Sequence, residues 1–149
     1  MIESKITIPL TLISNNGVLT FNVDDVRTRS ASECNGWLCH RQGSPIYKLR
    51  KPGLYDVQLT ANVTSATAGV LSLGIQEDGI TTAEGSQTIA TAGDLANISV
   101  HKQVQVCCNS TTSVSIVSLP SVLAANPLVE TATQIPIITN AILTITKRP

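Results

Sequence analysis

Charge is what this chain has least of. Asp, Glu, Lys and Arg make up 13% of its 149 residues, about half the share of an ordinary soluble domain. The net charge is zero and no run of Lys and Arg occurs. Nucleic-acid binding needs clustered cations that release counterions, so the sequence argues against that class. Aromatic side chains are as scarce: Phe21, Trp37, Tyr47 and Tyr55 are the whole set. No apolar run reaches the ~18 residues of a membrane-spanning helix. The opening "MIESKITIPL" lacks the charged-then-apolar layout of a signal peptide, so synthesis in a reducing cytosol is expected. No segment repeats its apolar residues every 3.6 positions, so no amphipathic helix is predicted. Only two histidines occur, His40 and His101, with no Gly-x-Ser-x-Gly and no phosphate loop. Nucleophilic catalysis needs a nucleophile, a base in reach and a group to orient the base. None of these constellations is written here, so neither an enzyme nor a cofactor is expected.

What the chain does have is alternation. In "KPGLYDVQLTANVT", residues 51–64, Tyr55, Val57, Leu59, Ala61 and Val63 share one parity. Asp56, Gln58, Thr60, Asn62 and Thr64 share the other. Successive side chains of a strand point to opposite faces, so this predicts a strand with one buried and one wet face. The same reading places Leu71, Leu73 and Ile75 inward, and likewise Ile98, Val100, Val104, Val106 and Cys108. The closing "NAILTIT" turns Ala141, Leu143 and Ile145 inward. At the start, Ile6, Ile8, Leu10 and Leu12 share a face, with Pro9 restricting that strand to an edge. Asn16-Gly17 then signals a hairpin, and Leu19, Phe21 and Val23 follow inward. Residues 77–87 read as a turn or long hairpin loop around Asp78-Gly79, and 120–137, with three prolines, as a surface loop. Eight to ten short strands without helices predict an all-β sandwich or jelly roll. The length is that of one domain, with residues 1–26 as a separable arm and 27–149 as the jelly roll. Sparse charge on a β-rich chain also points to self-association, because interface cores are depleted of charge.

The cysteines give weak signals. Cys34, Cys39, His40 and Cys108 are the candidate metal ligands, but their spacing fits no common zinc knuckle, so no metal is expected. Adjacent residues on a strand also diverge, which separates Cys39 from His40 and Cys107 from Cys108. A disulfide such as Cys34–Cys39 is disfavoured by cytosolic synthesis. The plainer reading makes Cys108 a small core hydrophobe and Cys107 a surface or interface residue. Sugar binding would need a flat aromatic platform, for which only Trp37 and Tyr47 are available; core or interface anchoring of Trp37 is the favoured alternative. Three Asn-x-Ser/Thr triplets, at Asn62, Asn97 and Asn109, are chance matches in so Ser- and Thr-rich a chain.

Three stretches carry a family resemblance. "IYKLRKPGLYDVQLTANV" resembles the signature segment of complement globular heads and tumour-necrosis-factor-like jelly rolls, with Gly53 and Tyr55 matching its Gly-x-Tyr. "LGIQEDGI" resembles the next strand and turn, and "NAILTIT" the closing strand. Within that superfamily, "TAGDLANISVHKQVQVCCNSTTSVSIVSLPSV" is similar to small bacteriophage virion proteins from Gram-positive gut hosts. The resemblance implies a homotrimeric jelly roll, with Trp37, Tyr47 and Tyr55 as trimer or core anchors. It further implies a structural virion protein acting by binding alone: a head decoration, head fibre or cement protein on the virion surface. Its partners would be sister copies and a major capsid or other virion protein. Ile6, Ile8, Leu10 and Leu12 would be the capsid-docking residues, adding a strand to a neighbour's sheet edge. The alternative is a receptor-binding or adhesin module that recognises a host surface glycan or protein through its loops.

Overall fold

The structure, a computed structural model, describes residues 1–11, 17–27, 36–119 and 136–149. Among the described residues there are eleven strands and no helix. They are β1 (Ile2–Ile6), β2 (Leu10–Thr11), β3 (Val23–Arg27), β4 (Leu38–Cys39), β5 (Tyr47–Leu49), β6 (Gly53–Thr64), β7 (Gly69–Glu77), β8 (Ile80–Ile89), β9 (Ala96–Val106), β10 (Thr112–Leu119) and β11 (Ile137–Lys147). The larger sheet runs β3-β1-β11-β6-β9, with β2 also paired to β11. The smaller sheet runs β4-β5-β10-β7-β8. Every strand pairing is antiparallel. The chain crosses between the sheets repeatedly, which is the jelly-roll sandwich that the strand spacing predicts.

The alternation of β6 is the reason it is central. Tyr55, Val57, Leu59, Ala61 and Val63 are all buried, and they meet inward residues of β7, β10 and β11 in one apolar cluster. Each fully buried Leu, Ile or Val side chain stabilises the fold by roughly 1.5–3 kcal/mol. Ile98, Val100, Val104 and Val106 join the cluster from β9. The turn into β8 confirms its sequence signal: Asp78 (φ 49) and Gly79 (φ 84) both have positive φ, as a two-residue type I′ hairpin requires. Asp78 is further tied to β10, donating its N–H to Ser113 O (2.8 Å) and accepting the Ser113 N–H on Oδ1 (2.7 Å).

Both lateral edges of the sandwich are closed by specific contacts. On one side β8 crosses β9 so closely that a Cβ on Gly85 would lie 2.9 Å from Ser99 O and from Val100 Cγ2. Lys102 of β9 reaches Glu77 of β7 on this side, Nζ to Oε1 at 3.7 Å. On the other side, His40 follows β4 and places Nε2 3.3 Å from Asp24 Oδ1 on β3. The His40 ring stacks on Tyr47 with centroids 3.8 Å apart. Ser4 Oγ donates to the same Asp24 oxygen at 2.6 Å.

Several expectations are corrected. Residues 1–26 are not a separable arm. β1 lies between β3 and β11 in the larger sheet, and residues 17–19 cross to the smaller sheet. There Ser118 donates to Gly17 O and Leu19 donates to Ile116 O. Ile2, Ile6, Leu19 and Phe21 are buried in the shared core. Asn16 and Leu12 lie outside the described residues, as do most of the proline-bearing positions 120–137. Residues 80–87, expected as part of a turn or long hairpin loop, instead belong to a ten-residue strand, Ile80–Ile89. It looks polar because it is the outer strand of its sheet, with Ile89 its only fully buried residue. Such a strand needs backbone pairing on one side and little apolar alternation. Cys108 is exposed, not a core residue.

Candidate functional site

The outer face of the larger sheet answers what the wet parity of β6 is for. Register stacks its residues in rows across β9, β6, β11 and β1. Ser99, Thr60, Ile142 and Lys5 form one row; His101, Gln58, Thr144 and Glu3 form the next. A row of amides lies at one end. Asn97 Nδ2 donates to Asn62 Oδ1 (2.9 Å), and Asn62 Nδ2 donates to Asn140 Oδ1 (2.8 Å). At the other end Arg148 grips Asp56 with two hydrogen bonds, Nε to Oδ2 at 2.6 Å and an Nη nitrogen to Oδ1 at 3.1 Å. His101 Nε2 stands 3.5 Å from the same carboxylate. The Arg148 guanidinium holds the Asp56 carboxyl below its ordinary value. Along the β1 margin, Lys5 pairs with Glu3 at 3.1 Å and with Asp25, which raise its ammonium above the usual range, Asp25 foremost.

The face is therefore electrically closed on itself. Asp56 is held by Arg148, Lys5 lies between Glu3 and Asp25, and the middle carries only Ser, Thr, Gln and Ile. Ile142 sits in that middle and is 42% exposed. An unpaired charge costs far more to bury than one already paired and hydrogen-bonded, and a hydrogen-bonded amide costs less still. A face of this kind can be covered by protein without leaving unmatched charge.

A second concavity lies at the β4–β5 hairpin. It has a volume of about 270 Å³ and is lined by Cys39, His40, Arg41, Ser44, Ile46 and Lys48.

The predicted site residues fall in different places. Ile6 is a core residue, and Ile8 is 69% exposed. Leu10 is half-buried against the core. The three described docking residues, Ile6, Ile8 and Leu10, thus do not share one face, because the strand pattern ends at Ile6 and resumes at Leu10; Leu12 lies outside the described residues. Trp37, Tyr47 and Tyr55 are all core residues. Trp37 and Tyr55 pack with ring centroids 5.4 Å apart, and Tyr55 Oη donates to Lys51 O at 2.6 Å. Trp37 and Tyr47 therefore offer no flat surface to a sugar. The metal candidates are not brought together either. Cys39 is disulfide-bonded, Cys107 and Cys108 are free, and Cys34 lies outside the described residues. His40 instead engages Asp24 and the carbonyl of Ile46. Among the described residues no three His, Cys, Asp or Glu side chains are grouped to hold a metal. The sequence reading missed the Asp24–His40 contact, and alternation gave no sign of it, since Val23 and not Asp24 has the inward parity of Leu19 and Phe21.

Two antiparallel sheets in this order, joined around one core, define an all-β jelly roll of the kind shared by tumour necrosis factors and complement globular heads. Among solved structures the chain is similar to the globular domain of zebrafish complement 1qA protein, with a TM-score of 0.59 and 10% identity over 99% of this chain and 97% of that one. It is also similar to the Eiger TNF of S. frugiperda, with a TM-score of 0.54 and 6% identity over 99% of this chain and 94% of that one. No family model and no curated protein matches the chain.

Proposed function

We propose that the protein is a homotrimeric binding module in which the outer face of the larger sheet packs against sister copies. The observation that carries this reading is that face: several strands wide, its charged side chains paired at the margins, with Ile142 half-exposed at its centre. Three copies around a closed axis cannot grow into a fibre, which suits a component of fixed stoichiometry. The mechanism is association alone, with no chemistry on a substrate. We further propose that the module decorates a bacteriophage head as a fibre or cement protein on the virion surface. That part rests on the resemblance of residues 91–122 to small virion proteins. The fold is compatible with it, since jelly rolls serve as rigid surface modules. The exposed Ile8 and half-buried Leu10 are what remains of the expected capsid-docking strand.

Native mass spectrometry and analytical ultracentrifugation test the assembly, and proteomics of purified particles tests the location. A trimer at micromolar concentration, present in many copies per particle, supports the proposal. A monomer at that concentration removes the assembly reading, and absence from particles removes the virion reading. The adhesin alternative no longer has an aromatic platform to stand on; what favours it is the concavity at the β4–β5 hairpin, with Arg41 and Lys48 in its lining.

A further inference from the structure

We infer that the concavity at the β4–β5 hairpin is a binding site for a small anionic group, a carboxylate or phosphate carried on a compact ligand such as an acidic sugar. It deepens the adhesin alternative but does not depend on trimer formation, since one copy supplies the whole site.

The lining is biased in charge. Arg41 and Lys48 are both exposed at the concavity, and neither makes an ion pair among the described residues. Elsewhere Lys5, Lys102 and Arg148 are each matched to a carboxylate. Among the described lining residues there is no Asp or Glu. The nearby carboxylate of Asp24 is engaged by Ser4 Oγ and His40 Nε2, with its side chain 3% exposed. Two cations without an ion pair among the described residues line one hollow, and no described carboxylate lines it. Arg presents a planar fork that matches carboxylate and phosphate oxygens two at a time, and Lys adds a mobile point charge.

The rest of the lining supplies shape. Ser44 Oγ accepts the Ile46 N–H (3.2 Å) and lies 3.5 Å from Ile46 O, so its own hydrogen can turn to a ligand oxygen. Ile46, 42% exposed, gives one apolar contact. His40 is a wall and not a donor: a carbonyl can only accept, so Nδ1–H donates to Ile46 O (3.1 Å), and Nε2 faces Asp24. The hairpin is held in shape before any ligand arrives. Cys39 and Lys48 are register partners, and Ser44 N–H closes the Arg41 turn at 2.9 Å. Gly43 takes φ +81, and Gln42 Nε2 donates to Asn22 O at 2.9 Å. Such preorganisation lowers the ordering cost of binding. The volume suits a single sugar ring or phosphate group more than an extended chain.

The test is a titration of isotope-labelled protein with sodium glucuronate, with glycerol phosphate and with glucose at constant ionic strength, followed by amide chemical shifts. Saturable shifts confined to residues 39–48 with glucuronate identify a carboxylate site, and the same with glycerol phosphate a phosphate site. Glucose should give none. Arg41→Ala and Lys48→Ala should each weaken binding about tenfold, the loss of one charge-assisted contact. Lys51→Ala should leave it unchanged. All three side chains are exposed, so the spectrum of each variant reports whether the fold is kept. No saturable shift with either anion, equal shifts with glucose, or binding indifferent to both Arg41→Ala and Lys48→Ala would overturn the inference.

Discussion

Tyr55 and Asp56 are neighbours in sequence and opposites in fate. Tyr55 points inward, packs on Trp37, and donates its hydroxyl to Lys51 O. Burial pushes its phenol above the ordinary value. Ionisation is then harder in the folded protein than in the unfolded chain. The stability it contributes is fully present below about pH 10 and is lost as pH rises through the raised folded value. Tyr55→Phe should cost about 1 kcal/mol at neutral pH, the worth of one hydrogen bond, and flatten the alkaline fall. Urea melts from pH 8 to 11 check both; equal alkaline slopes in the two proteins would refute the assignment. Asp56 points outward into the Arg148 clamp, which lowers its carboxyl. Its contribution is present above the unfolded value near pH 4 and disappears as pH falls through the lower folded value. The pair is exposed, so the effect is small and salt-sensitive. Asp56→Asn should lose less Tm than the wild type between pH 5 and 2.5, and 1 M salt should narrow the difference. Identical acid profiles would count against the clamp.

At the scale of elements, two glycines near β8 are required for different reasons. Gly79 turns the hairpin with φ +84, and a Cβ there would meet nothing within 4 Å. Gly79→Ala should therefore cost only the backbone term, roughly 1–2 kcal/mol, and Gly79→Asn should recover most of it because Asn tolerates that conformation. Gly85 takes no left-handed φ, but its absent side chain is where β9 passes, with the Ser99 carbonyl in the way. Gly85→Ala should cost about 1–3 kcal/mol through overpacking, and Gly85→Asn should be worse. Equilibrium denaturation of the four variants gives opposite rank orders at the two sites; the same order at both would contradict this account. The Asp-Gly signal for the turn was readable in one dimension. The need for Gly85 was not, because the strand that crowds it is contributed by residues 98–100 of the other sheet.

For the whole molecule, the outer face of the larger sheet is the surface on which assembly turns. Ile142→Arg puts an unmatched cation in its centre without touching the core. The variant should keep its β circular dichroism and shift from trimer to monomer, weakening association by two to five kcal/mol, about the cost of a buried unpaired charge. Ile80→Arg, at a more exposed apolar position on the hairpin tip, should leave the oligomer unchanged. Sedimentation velocity at several concentrations distinguishes them. If both or neither dissociate, the interface lies elsewhere.

The sequence by itself determined which side of most long strands is buried, β8 excepted. In β6, β7, β9 and β11 parity follows from the identity of every second residue, and desolvation enforces it locally. It also determined the Asp78-Gly79 turn and the charge-poor character of the wet face. Tertiary structure alone decided what those strands meet. Residues 1–26 looked detachable because neither the pairing of β1 with β11 nor that of Gly17 with Ser118 leaves a mark in a local window. Ile6, Ile8 and Leu10 read as one face in the sequence, but the strand ends at Ile6. The hollow holding Arg41 and Lys48 arises because β4 and β5 pair in register and His40 anchors across to Asp24. Periodicity reports the solvent on either side of a strand; partners far apart in the chain are chosen by packing, which no single segment records.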